Sequence, residues 1–301
     1  MSRADQTPAL TTTSHQIEVA AGNEEQYAAW NGDEGELWAA HPEFYDASVR
    51  NLQQPLMEAA GIRPDDHVLD VGCGSGQCTR EAARRAIDGT ALGIDLSHSM
   101  IRVAEAVTLR EGLANAGFVV GYAQIYPFPP AGFDVALSRT SAMFFADQVA
   151  AFTNIARALR PGGRLAMVSW RGPAENEWIS SLSQALRPGG PPPAPPEDAP
   201  TPFRHADPDR TAAILGAAGF EAVRLEPLDV PMYFGRDAEE GFPFLRDLLG
   251  WMVRDLEPAA AHHALDRMRV LLGEHETGDG VAFGCAAWLI TARRSTSRQR
   301  S

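Results

Sequence analysis

Lysine does not occur anywhere in the 301 residues, so all 26 basic side chains are arginine. That excludes every mechanism built on a lysine amine: Schiff-base chemistry, pyridoxal phosphate attachment and a P-loop lysine. Positive charge is itself in short supply, with 26 basic residues against 39 acidic ones and a formal net charge of −13. A nucleic-acid binder needs a basic face to neutralise phosphates, so no nucleic-acid partner is expected. Cysteine is equally sparse. Cys73, Cys78 and Cys285 form no CxxC pair and no disulfide framework. Cys73 and Cys78 have no histidine or third cysteine beside them, so no metal site is expected. Long apolar runs are missing too: nothing approaches the roughly 20 residues that a membrane helix requires. Met1 to Glu18 is polar and lacks the apolar stretch of a secretory leader. A cytoplasmic protein without membrane partners is the expectation.

Against these absences stands a hydrophobic share of 45%, enough for a sizeable core in one large α/β unit. Residues 1–22 read as a loose, flexible tail. From Asn23 to Gly61 the text turns helical, with rings at Tyr27, Trp30, Trp38, Phe44 and Tyr45 and a break at Asn31-Gly32. These rings read mainly as the packing of an N-terminal helical layer over 23–61. From residue 62 to about 175, short apolar strands alternate with helical stretches, the pattern of βαβ units. Strands are expected at His67–Val71, Ala91–Ile94, Phe118–Val120, Phe133–Leu137 and Arg164–Trp170, with helices around Thr79–Ala86, Ser99–Ala114 and Val149–Leu159. Each strand is nearly continuous in apolar residues, as befits a parallel sheet buried on both faces. Residues 176–301 complete the fold. They hold a helix at Glu177–Leu186, a loop at 188–202 with eight prolines, and a helix opening at Asp207-Pro208 and stopping at Gly219. A strand near Ala222–Leu225 runs on towards Phe234. Helices at Ala238–Leu256 and Pro258–Glu274 form a small insertion before the last strand, Val281–Thr291.

The informative text is Val68-Leu69-Asp70-Val71-Gly72-Cys73-Gly74-Ser75-Gly76-Gln77, a buried strand running through a glycine-rich turn into a helix. Gly72, Gly74 and Gly76 let the backbone turn tightly and approach a nucleoside-bearing ligand without Cβ clashes. The pattern is GxGxG. Gln77 stands where the NAD fingerprint wants glycine, which speaks against a nicotinamide oxidoreductase. Asp95 ends the next strand, nineteen residues beyond Gly76. An acid there can accept hydrogen bonds from both ribose hydroxyls, while Ser97 is free to cap the following helix.

With these residues the chain resembles the class I methyltransferases that use S-adenosylmethionine (SAM), in particular the small-molecule enzymes of ubiquinone and menaquinone synthesis. The resemblance runs in order from Val68 to Trp170 through Asp95, Ser97, Met100, Ala123-Gln124, Pro127-Phe128, Phe133-Asp134-Val135, Ser138-Arg139, Met143-Phe144-Phe145 and Leu159-Arg160-Pro161-Gly162-Gly163. It implies a Rossmann-like, doubly wound, mostly parallel sheet with an antiparallel last strand. It implies SAM as cofactor, with the Gly72–Gly76 turn under the methionyl part and Asp70 anchoring the ammonium. Asp95 would hold the ribose, Leu96 and Met100 would line the adenine, and Ala123 and Gln124 would touch its edge. Ser138 would face the methionyl end, and Tyr27 or Trp30 would cover the cofactor. One departure stands out: the family usually reads Gly-Asp-Ala after the third strand, and this chain reads Gly121-Tyr122-Ala123. Tyr122 cannot supply the carboxylate that accepts from the adenine amino group. It is the feature that supports an alternative reading, a SAM-binding sensor or auxiliary protein that transfers nothing.

The methyl of a sulfonium is already activated, so the protein need only align an acceptor in line and exclude water. Such enzymes carry no fixed catalytic signature, and no catalytic residue is assigned from the sequence. An oxygen acceptor would want a base, typically His, Asp or Glu; the candidates considered are His205, His262 and His263 in the variable part and His41 in the N-terminal layer. Arg139 either orients a substrate or pairs with an acid. Met143, Phe144, Trp170 and Trp178 are candidate walls of an acceptor pocket, or ordinary core. The apolar text at 170–178 and 233–252 suits a small hydrophobic or aromatic acceptor.

Overall fold

The computed structural model describes residue 19 and residues 22–190 and 200–296. Most of the tail expected at 1–22, and the middle of the proline-rich stretch, lie outside the described residues.

The helical text after Asn23 folds as four helices: α1 (Glu24–Trp30), α2 (Asp33–Ala40), α3 (Pro42–Ser48) and α4 (Arg50–Ala60). Each break has a local cause. Gly32 precedes α2, Pro42 opens α3 at a position where its missing N–H costs nothing, and Gly61 ends α4 in the left-handed conformation (φ 54°). Leu52, Leu56, Met57 and Ala60 recur at helical spacing along α4 and are fully buried. Each of the larger ones contributes on the order of 1.5–3 kcal/mol of burial.

Next come β1 (His67–Val71), α5 (Gln77–Arg85), β2 (Thr90–Asp95), α6 (His98–Glu111), β3 (Ala116–Val120), β4 (Phe133–Arg139), α7 (Gln148–Ala158) and β5 (Leu159–Trp170). The chain continues with α8 (Glu177–Leu186), α9 (Pro208–Ala217), β6 (Phe220–Tyr233), α10 (Ala238–Leu249), α11 (Pro258–Glu274), β7 (Glu276–Thr277) and β8 (Gly280–Arg294). The sheet order is β3-β2-β1-β4-β5-β8-β6. β1 to β5 are parallel, and β8 runs antiparallel between β5 and β6. This is the mixed, mostly parallel Rossmann-like sheet with an antiparallel last strand that the sequence led us to expect.

Alternate side chains divide between two cores. Val68, Val135, Leu137, Ala166 and Val168 face α4, α5, α8 and the α10–α11 insertion, whereas Leu69, Ala136, Leu165 and Met167 face α7 and α9. Burial on both faces explains why the strands read as continuous apolar runs.

β6 carries the strand expected near Ala222–Leu225 on towards Phe234, spanning fourteen residues despite Pro227 and Pro231. It is the edge strand, and these prolines sit four residues apart, so both turn the side that lacks an N–H donor the same way, outward. Ala222, at φ 53°, lies in the irregularity between Glu221 and Arg224. The helix expected at Ala238–Leu256 ends at Leu249 and gives way to a 3-10 turn, Gly250–Met252. The short β7, pairing with the start of β8, was not expected at all.

Candidate active site

The carboxyl ends of β1, β2 and β4 open onto a cavity of about 1420 Å³. A site for one drug-sized ligand is usually about 300–1,000 Å³, so this space has room for more than one such molecule. Its floor is the loop after β1. Gly72, Gly74 and Gly76 adopt φ of 68°, 53° and 82°. A Cβ on Gly72 would lie 1.6 Å from Ser141 Oγ, and one on Gly76 would lie 2.7 Å from the Phe118 ring. The glycines are therefore demanded twice, by conformation and by space.

Asp70 is buried beneath this loop. Its Oδ2 accepts from Thr79 Oγ1 at 2.6 Å, and its Oδ1 is buried with no hydrogen-bond partner. Burial pushes the Asp70 carboxyl up to about 6, with the Thr79 bond pulling it part of the way back. Asp95 is half-buried at the end of β2. Its Oδ2 accepts from Gly74 N–H at 2.8 Å and its Oδ1 from Ser97 N–H at 2.9 Å. Each oxygen keeps a further lone pair, and the residue lines the cavity. Burial raises its carboxyl, opposed by these backbone donors. Ser97 itself caps α6, accepting from Met100 N–H.

α1 lies across the same end of the cavity, pinned by an asparagine on either side. Asn23, 1% exposed, donates to Phe144 O at 3.0 Å and accepts from Ala146 N–H at 2.5 Å. Asn31 donates to Leu96 O and accepts from His98 N–H, both at 3.1 Å. Tyr122 belongs to this latch. Its hydroxyl lies within hydrogen-bond distance of both Asn23 Oδ1 and Gln124 Oε1, and Gln124 Oε1 also accepts from Asp147 N–H. Tyr122 thus replaces a small acid with a ring that fastens the N-terminal helices to the sheet.

The cavity wall brings together Asp70, Gly72, Gly74, Asp95, Leu96, Met100, Ala123 and Trp30, and farther out Arg139, Phe144, Trp170 and Trp178. Five candidates are not on it. Gly76 lies behind the loop as the N-terminal residue flanking α5. Gln124 is spent on the Tyr122 latch. Ser138 donates to Val71 O at 2.9 Å. Tyr27 turns away while its neighbour Trp30 faces in, and Met143 is wholly buried in the core.

Arg139 is paired with an acid and also lines the cavity. Buried, it bonds Asp46 at 3.0 Å and Gln53 at 2.6 Å and also reaches Gln77, tying α3 and α4 to the loop helix. Thr140, next in the chain, has φ 52°. A β-branched residue there carries about 1–3 kcal/mol of strain. Its Oγ1 donates to Arg139 O at 2.8 Å and lies 2.7 Å from the Tyr45 hydroxyl. Thr79, Asn23, Tyr45 and Thr140 were not singled out as site residues. Each acquires its place through partners that are distant in sequence or through a backbone torsion.

Outward of Tyr45 the cavity becomes aromatic. Trp38 packs edge-on against Tyr45 at 4.6 Å and against Phe244 of the insertion at 5.4 Å. Trp170, Trp178 and Phe234 continue the wall. Among the described residues no histidine lines this space. His205 is fully buried between Ser169 Oγ and Gln148 Oε1, and burial lowers it to about 3. Among the described residues no group of side chains could hold a metal, and no helix is long and apolar enough to cross a membrane.

Comparison with known proteins agrees with this architecture. Residues 68–163 match the family described as "Methyltransferase domain". The chain is 31% identical over 222 residues to nocamycin O-methyltransferase of Saccharothrix syringae, covering 69% of this chain and 76% of that protein. It is 34% identical over 128 residues to aklanonic acid methyltransferase of Streptomyces sp. strain C5, covering 42% of this chain and 56% of that one. In fold it is similar to the crystal structure of the YcgJ protein of Bacillus subtilis, with a TM-score of 0.56 and 19% identity over 82% of this chain and 99% of that one.

Proposed function

This chain belongs to the class I SAM-dependent methyltransferases, and from that premise we propose that its acceptor is a small hydrophobic molecule carrying an aromatic ring and a hydroxyl. The residues present fit the cofactor. The unpartnered Oδ1 of buried Asp70 suits an ammonium, and the lone pairs left on Asp95 suit a ribose diol. Leu96, Met100 and Ala123 supply an apolar slot for the adenine, and Trp30 covers it from α1. Bound there, the cofactor would supply a sulfonium methyl already activated for transfer to an acceptor lone pair, with the acceptor's proton released to bulk solvent.

One observation carries the acceptor class: the cavity continues past the polar floor into a chamber walled by Trp38, Trp170, Trp178, Phe234 and Phe244. Aromatic walls bind a flat apolar body and keep water from the transfer site. Relatives named for methylating nocamycin and aklanonic acid support a small-molecule acceptor. The wall carries carboxylates at Asp33, Glu34 and Asp247 besides Asp70 and Asp95, and in this reading the protein's main part is to align the acceptor and exclude water. The test is methyl-labelled SAM with a panel of hydroxylated aromatics, amino acids and polyamines. Label is expected in the aromatics alone; turnover confined to amino acids or polyamines would overturn the reading.

A further inference from the structure

We propose that Tyr45 orients the acceptor, receiving a hydrogen bond from its hydroxyl and so aiming the oxygen lone pair at the transfer site. The proposal rests on the acceptor class argued above.

Tyr45 lies where the two halves of the cavity meet. On one side its hydroxyl is 2.7 Å from Thr140 Oγ1, and the next residue, Ser141, fills the space a Cβ on Gly72 would take. On the other side its ring packs on Trp38, the first ring of the aromatic chamber. A molecule in the chamber that reaches towards the loop must pass Tyr45, which lines the wall there.

The proton bookkeeping around Tyr45 gives its hydroxyl a direction. Thr140 Oγ1 donates to Arg139 O, a carbonyl that can only accept. With the threonine proton on that carbonyl, the tyrosine is the donor between Tyr45 and Thr140. Its phenolic oxygen then faces the cavity with lone pairs and no proton to offer. Such a group binds an O–H or N–H and rejects an ether or a carbonyl. It therefore distinguishes substrate from product, because an acceptor hydroxyl makes this bond and the methyl ether formed from it cannot. Tyr45 takes no proton in this role. The positive φ of Thr140 is what turns its side chain to hold the chain of bonds, and a strained β-branched residue on a cavity wall marks a place where geometry is kept for use.

The test uses the full chain saturated with S-adenosylhomocysteine and two probes of one shape, 2-naphthol and 2-methoxynaphthalene, titrated by calorimetry. Wild type is expected to prefer the naphthol by roughly fivefold to tenfold, the value of one hydrogen bond. Tyr45→Phe should lose that preference while binding S-adenosylhomocysteine as before. Thr140→Val, of nearly the same shape, frees the tyrosine proton and should shift the ratio towards the ether. An undiminished naphthol preference in Tyr45→Phe, or an unmoved ratio in Thr140→Val, overturns the proposal. Equal binding of both probes to wild type overturns it while sparing the acceptor class; failure of both to bind removes the acceptor class and this proposal together.

Discussion

At the scale of single residues, Asp70 sets how cofactor binding responds to pH. Its carboxyl, pushed up to about 6 by burial, must be ionised to attract an ammonium group. As pH falls through that value the proton and the cofactor compete for the same oxygen pair. At pH 5 only about a tenth of the carboxylate is charged, so affinity for S-adenosylhomocysteine should drop roughly tenfold between pH 7 and pH 5. Asp70→Asn should bind weakly at both and show no such slope. Calorimetry at the two pH values checks this, and a slope that survives in Asp70→Asn would assign it to another group. Asp70, Gly72, Gly74 and Asp95 were legible because the turn that positions them is written in ten consecutive residues and the strand that follows. Ser138 and Gln124 share the same text but spend their polar atoms on Val71 O and on the Tyr122 latch. No local pattern reveals which hydroxyl or amide will be used up by a neighbour.

Among the elements, α1 is the one whose position depends on few contacts. It has no buried residue of its own, and Asn23 and Asn31 hold it to the sheet through side-chain bonds to Phe144, Ala146, Leu96 and His98. A short helix fixed by polar clips opens more readily than one fixed by a core. Since Gln26 and Trp30 of α1 line the cofactor end of the cavity, cofactor exchange is expected to follow its opening. Asn23→Ala removes the side-chain bonds of that clip to Phe144, Ala146 and Tyr122, worth about 1–3 kcal/mol. Release of S-adenosylhomocysteine should then quicken by about tenfold in stopped-flow, with thermal stability falling only slightly; an unchanged release rate would show that exchange takes another route. The aromatic text of 23–61 and its break at Asn31-Gly32 were readable, but the latch was not, because its partners lie 121 and 123 residues away.

For the whole molecule, the parallel order of β1 to β5 follows from alternating strands and helices, whereas the roof of the cavity does not. It forms where Phe244 of the insertion meets Trp38 and Phe44 of the N-terminal helices, about two hundred positions apart, and no periodicity reports such a meeting. The same long-range packing buries titratable groups that pull stability in opposite directions with pH. Burial holds His205 neutral, and with Nε2 donating to Gln148 Oε1, an atom that only accepts, its Nδ1 is left to accept from Ser169. Its value falls to about 3 against about 6.5 when unfolded. Between those limits the unfolded chain binds the extra proton, so His205 makes stability fall as pH is lowered. Asp70 acts the other way: about 6 when folded against about 3.9 unfolded, it binds its proton first in the folded protein and makes stability rise as pH falls from 6 towards 4. Asp46 and Asp95, also raised by burial, reinforce Asp70. In cofactor-free protein the two effects oppose each other between about pH 4 and pH 6. His205→Gln removes one of them. Whatever constant stability it costs, its urea midpoint should decline less between pH 6.5 and pH 4.5 than that of wild type, or rise. An equal decline in both proteins would mean that the buried histidine does not govern acid sensitivity, and that surface carboxylates do.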